Sequence, residues 1–239
     1  MPFTFVNALL RKWIFAPIMC PLTSFFQLLS VNGCIITLTF LAVKRFRAVN
    51  NPLIHKANRS SAKKVCHVIS IWMISIMFSS IQLFIYQCKP IKTTNNKNNQ
   101  NHCLCHESYS ILGSSRYNTA RFYAAYTIWI FLQTYLIPAI IISIMYSKVI
   151  IKLRERKEIL NNCQNIDIRS QSFKITRMLL IVICTFLLNW LPIHLFHLYL
   201  AYNFYSNVSN IRPNVESSTH ITKIFLLSHW LSMANSFIK

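Results

Sequence analysis

Glycine and carboxylates are what this sequence has least of. Two glycines in 239 residues leave little of the backbone freedom that glycine supplies. Helices broken at glycine, and internal repeats, of the kind that build ion sites in secondary transporters are lacking. The acids number five, Glu107, Glu155, Glu158, Asp167 and Glu216, and no long apolar run contains one. That excludes paired-carboxylate chemistry inside a membrane and argues against an ion path lined by carboxylates, so neither an enzyme nor a transporter or channel piece is the preferred reading. Charged residues make up 13% of the chain, where ~25% is ordinary for a soluble domain.

What is abundant is apolar. Residues 20–43 carry no charge through 24 positions, ~36 Å of helix at ~1.5 Å per residue, enough to cross a hydrocarbon layer ~30 Å thick. The run ends abruptly in Lys44, Arg45, Phe46 and Arg47, the mark of a span whose basic end is cytoplasmic. This run and those that follow predict spans at 20–46, 65–87, 122–151, 174–202 and 221–238, with a partial one at 1–10. The expectation is one all-α membrane domain over residues 1–239, with the lipid bilayer as its surroundings.

Charge placement orients it. Residues 44–64 hold seven Lys and Arg with no acid, and residues 148–177 hold eight with three acids; residues 88–121 and 202–223 hold five and two. Under the positive-inside rule the first pair of segments is cytoplasmic and the second pair lies outside. The net charge of +20 is thereby a matter of topology. A nucleic-acid partner is not implied, because a polybasic binder does not interrupt its cations with uncharged runs of span length. Residues 1–10 are apolar ahead of Arg11 and Lys12, the reverse of a secretory leader.

Eight cysteines sort by side. Cys20, Cys88, Cys103 and Cys105 fall outside, where disulfides persist; Cys34, Cys66 and Cys184 lie in apolar runs as small packing residues, and Cys163 in an inner loop. Residues 92–106, dense in asparagine, predict a flexible outer loop that buries nothing. Pro138 in the span at 122–151 marks a bulge that neighbouring helices must satisfy, and Tyr146 follows eight residues later. In the span at 174–202, Phe186 and Trp190 lie one turn apart just below Pro192, on one face of a kinked helix.

Together these residues resemble the rhodopsin-like (class A) G protein-coupled receptors. Cys20, then Arg45 followed by an aromatic, then Pro52 and Leu53, are similar to that family's third helix. Trp13-Ile14-Phe15 resembles the loop before it, Pro138 and Tyr146 the fifth helix, and Phe186, Trp190 and Pro192 the F-x-x-x-W-x-P switch of the sixth. Cys105-His106-Glu107 and His229-Trp230-Leu231 resemble the second outer loop and seventh helix of the neuropeptide FF (RFamide) receptor group. The resemblance implies a seven-transmembrane helix bundle, incomplete here, from the end of helix 2 through most of helix 7. It implies a plasma-membrane receptor for an extracellular peptide, acting on a heterotrimeric G protein and needing no cofactor. A receptor product that no longer signals is the main alternative, and a transporter or channel piece the lesser.

Residue roles follow from the same resemblance. Cys105 pairs with Cys20; whether Cys88 pairs with Cys103 stays open. Gln27, two turns below Cys20, is suited to an amidated peptide terminus, although a hydrogen bond between helices is its plainer role. Glu107 would meet a ligand arginine. His194, His197 and His229 would line the pocket as polar groups; their spread over two helices, without carboxylate or cysteine partners, speaks against a metal site. Arg45, Tyr146, Pro52 and Leu53 would face the G protein. The family has an acid before that arginine, whereas this chain has Lys44, which implies a weakly restrained receptor. Asn207 begins an outer glycosylation sequon, Asn207-Val208-Ser209.

Overall fold

The computed structural model describes residues 3, 6, 7, 10, 13–50, 61–90, 103–108, 116–159, 166–207 and 217–234. In chain order these form α1 (Met19–Asn50), α2 (Ser61–Ser79), α3 (Ile81–Ile85), strands β1 (Tyr86–Pro90) and β2 (Cys103–Glu107), α4 (Arg116–Phe131), a π-helical turn (Leu132–Leu136), α5 (Ile137–Ile159), α6 (Ile166–Asn207) and α7 (Ser217–Ala234). Among the described residues four helical stretches, Met19–Asn50, Ala62–Ile85, Asn118–Glu155 and Lys174–Ser206, are long and apolar enough to cross a membrane.

These segments are helical because a backbone in hydrocarbon must satisfy its own donors and acceptors. Their hydroxyls comply as well: Ser30 donates to the Phe26 carbonyl, Thr37 to Gly33, Ser70 to Cys66 and Thr185 to Ile181. The helices leave large apolar residues outward, among them Met178, Leu188 and Leu195, as a chain solvated by lipid does.

Helix α1 is the hub, packing on α2, α5 and the hairpin, while α6 packs on α4 and α7. The inner half of the core gathers Ala42, Ile142, Tyr146 and Ile183. The outer core is different in kind, formed by Trp13, Cys20 and Cys103.

Two prolines shape the path. Pro138 has no N–H for the Thr134 carbonyl, and the helix ahead of it widens to a π-turn in which the Ile137 N–H reaches back to the Leu132 carbonyl. That turn buries Thr134 and brings Gln133 to Asn32 of α1. Pro192 sits inside the long α6, and beside it the Tyr135 hydroxyl donates to the Leu187 carbonyl at 3.2 Å.

One expectation is corrected. Residues 92–106 were to bury nothing, yet Cys103 is 7% exposed and belongs to a strand. Strands β1 and β2 pair antiparallel with Tyr86 opposite Glu107 and Cys88 opposite Cys105. The Trp13 N–H donates to the Cys103 carbonyl at 2.9 Å. Composition fails as a guide there because covalent and backbone bonds, rather than apolar side chains, hold Cys103 down.

Candidate functional site

The hairpin is stapled twice. Cys105 bonds Cys20 at the head of α1, and Cys88 bonds Cys103 across the strands, with Cα separations of 5.7 and 5.6 Å. The first bridge holds the hairpin over the helix ends and the second closes its own loop.

Beneath it lies a cavity of about 430 Å³, within the ordinary range for small-ligand pockets. Gln27, Glu107, Trp190, His194, His197 and His229 all line it, although they come from three helices and a strand. Among the described residues Glu107 is the only acid of its walls. Its Oε1 accepts from the Tyr86 hydroxyl at 2.6 Å, the short range of a charge-assisted bond. Burial first, and the Glu107 charge second, hold the Tyr86 phenol well above its usual range.

The histidines are packed among rings. His194 stands 5.2 Å from Tyr135, 5.8 Å from Phe131 and 6.2 Å from Trp190. His229 stacks on Phe225 at 5.6 Å, and His197 meets the same ring edge-on at 6.4 Å. Among the described residues no group of three or more His, Cys, Asp or Glu is placed to hold a metal ion.

Other wall residues escaped the sequence reading. Gln82 of α3 and Asn7 line the cavity, and each has a buried side-chain carbonyl oxygen without a hydrogen-bond partner among the described residues. Tyr86, Tyr123 and Tyr126 surround the same space. The cavity is thus rich in acceptors, with a carboxylate and two open amide oxygens. A ligand group carrying several N–H donors suits it. Nothing in the spacing of Asn7 or Gln82 marks them, because only packing aims them inward.

At the floor of the cavity Trp190 stacks on Phe186 at 5.6 Å, with Phe186 buried, just below Pro192 and across from the π-turn ahead of Pro138. Deeper still, Tyr146 is 2% exposed and its hydroxyl has no hydrogen-bond partner among the described residues. Arg45 is half-buried near the end of α1. On the flank toward α5, the Lys148 ammonium lies 5.8 Å from the Phe46 ring and Lys152 donates to Asn50 Oδ1. Pro52 and Leu53 lie outside the described residues. Asn207 is the last residue of α6, and the rest of its sequon is outside the described residues.

Comparison with known proteins follows the same lines. The family model for the 7 transmembrane receptor (rhodopsin family) matches residues 1–239. The chain is 26% identical over 242 residues to neuropeptide Y receptor type 1 of Xenopus laevis, covering 100% of this chain and 61% of that protein. It is 24% identical over 237 residues to the tachykinin-like peptides receptor 99D of Drosophila melanogaster, covering 98% and 42%. Neuropeptide Y receptor type 6 of Mus musculus is 26% identical over 244 residues, with 100% and 60% covered. The chain therefore spans between two fifths and three fifths of these relatives' length.

Proposed function

The chain belongs to the rhodopsin family of 7 transmembrane receptors, and from that premise we propose that it binds an amidated neuropeptide of the Arg-Phe type and acts through heterotrimeric G proteins. It is a multi-pass protein of the plasma membrane and not an enzyme. Relatives named as receptors for neuropeptide Y and tachykinin-like peptides support a peptide ligand.

The observation that carries the reading is the acceptor-rich cavity with, among the described residues, a single carboxylate, Glu107. An Arg-Phe-amide terminus brings a guanidinium with five N–H donors and a carboxamide with two more. In this reading Glu107 takes the guanidinium, Gln27 the carboxamide, and His194, His197 and His229 flank them. The ligand's ring reaches the stack of Phe186 and Trp190, and rearrangement there passes through Pro192 and Pro138 to Arg45, Tyr146, Pro52 and Leu53. Cys20 and Cys105 hold the lid, and Asn207 carries a glycan.

One observation favours a weakly restrained receptor. The Lys44 ammonium lies 4.6 Å over the Phe40 ring, and residues 1–106 contain no acid. Arg45 thus has no carboxylate beside it in sequence to hold it, and basal coupling is set loosely.

The test is displacement binding on membranes of cells expressing the chain, with amidated Arg-Phe peptides and their free acids. Amidated peptides should bind at least tenfold tighter and stimulate nucleotide exchange on a G protein. Equal binding of amide and acid, or no binding of either, overturns the ligand assignment. Binding without exchange favours the non-signalling alternative.

A further inference from the structure

Of the two open amide oxygens around the outer cavity, that of Gln82 stands on the wall that carries Glu107. Gln82 is the second residue of α3, whose last turn closes when the Tyr86 N–H donates to the Gln82 backbone carbonyl. Tyr86 then lies opposite Glu107 in the hairpin, and its hydroxyl donates to Glu107 Oε1 at 2.6 Å. One residue beyond Glu107, the Ser108 N–H donates to the Ile85 carbonyl at 2.8 Å. Bonds on both sides of Tyr86 therefore tie Gln82 and Glu107 into one unit, and both line the cavity.

The two acceptors differ in kind. A carboxylate has about four lone-pair sites, more than the Tyr86 hydroxyl needs, and it matches the fork of a guanidinium. The neutral oxygen of Gln82 draws no cation by itself, but it accepts one more N–H. An ammonium gathers its donors on a single nitrogen, which a carboxylate satisfies. A guanidinium spreads its donors around a plane, so one edge can meet Glu107 while another reaches Gln82. The rings of Tyr123 and Tyr126 among the same walls suit its flat faces. A buried acceptor that one ligand completes and another leaves open discriminates between the two more sharply than apolar fit does.

We propose that Gln82 is a specificity-determining residue that makes the outer cavity select arginine over lysine in the peptide, its Oε1 accepting a guanidinium N–H that Glu107 does not take. This rests on the reading that Glu107 meets a ligand arginine. It adds that the site reads the shape of the cation as well as its charge. Glu107 supplies the attraction, and Gln82 supplies the choice.

Displacement binding on membranes of cells expressing the chain compares three amidated peptides that differ at one position: arginine, lysine, or asymmetrically dimethylated arginine. The methylated form keeps the charge and one forked edge but loses both donors of a terminal nitrogen. On the unaltered chain the arginine peptide should bind about tenfold tighter than either of the others. Gln82→Leu should weaken the arginine peptide about tenfold and leave the other two within about twofold, so that the preference collapses. An arginine preference that survives Gln82→Leu, while Glu107→Gln costs the arginine peptide roughly 30-fold or more, overturns the role of Gln82 and leaves that of Glu107 standing. An arginine peptide indifferent to Glu107→Gln overturns the reading of Glu107, and this assignment with it. The methylated peptide also tests the site without a substitution: equal binding of it and the arginine peptide to the unaltered chain means that no acceptor reads the outer edge, and the assignment fails.

Discussion

Glu107→Gln separates charge from shape at the outer cavity. Glutamine keeps the side chain's size and an acceptor for the Tyr86 hydroxyl, now 2.6 Å from Glu107 Oε1, but removes the charge. That bond falls from a charge-assisted value of about 1.5–3 kcal/mol to about 1 kcal/mol, a local loss of about 1 kcal/mol. A ligand guanidinium that loses its buried partner forfeits a further ~2–5 kcal/mol, or roughly 30-fold to several thousand-fold in Kd. The assay is displacement by an Arg-Phe-amide peptide and by its citrulline analogue, which has the arginine shape without the charge. Arginine peptide should lose at least 30-fold on Glu107→Gln, and citrulline peptide only about fivefold. Equal losses for the two peptides refute an ion pair at Glu107.

Removing the second staple by Cys88→Ser with Cys103→Ser frees a loop of sequence separation 15, costing about 3 kcal/mol of hairpin ordering by chain entropy; faster proteolysis between the strands should report it, and unchanged protection refutes the bridge as the hairpin's clasp. Asn32→Ala deletes the bond to Ser79 Oγ at 3.0 Å and the longer one from Gln133, worth about 1–2 kcal/mol together in a membrane interior. Its thermal inactivation in detergent should come at lower temperature, and an unshifted curve argues that the polar contacts are neutral. The Tyr86 phenol is raised by burial and by Glu107, so its stabilising share is full below the ordinary phenol value of ~10 and is lost as pH climbs through the raised one. Tyr86→Phe should therefore leave the phenolate absorbance that grows near pH ~10 unchanged; a drop of one tyrosine's worth refutes it. Lys44→Glu places an acid beside Arg45 and should change basal nucleotide exchange; identical exchange rules out the weak restraint.

The membrane class and helical architecture of this chain were legible without coordinates. An uncharged run of span length and a cluster of cations at its end are local properties, and hydrocarbon leaves a backbone few alternatives to helix. The turn of Phe186 onto Trp190 was readable for the same reason, since residues four apart share a helix face. Pro138 announced a local widening, though not that the π-turn would carry Gln133 to Asn32.

What lay beyond the sequence was everything set by which helix neighbours which. Gln27, Glu107 and the three histidines reach one cavity because α1, α6, α7 and the hairpin converge, and no spacing along the chain encodes that. Asn7 and Gln82 were invisible because an amide looks alike in sequence whether it faces lipid, a neighbour or a pocket. The strand at Cys103–Glu107 was concealed by its polar composition, since disulfides and ladder bonds can order a segment that buries little apolar surface. Lys44 could be named as an unusual cation from its neighbours in sequence, but its direction, over Phe40 and toward His67, was decided only when α2 packed against α1.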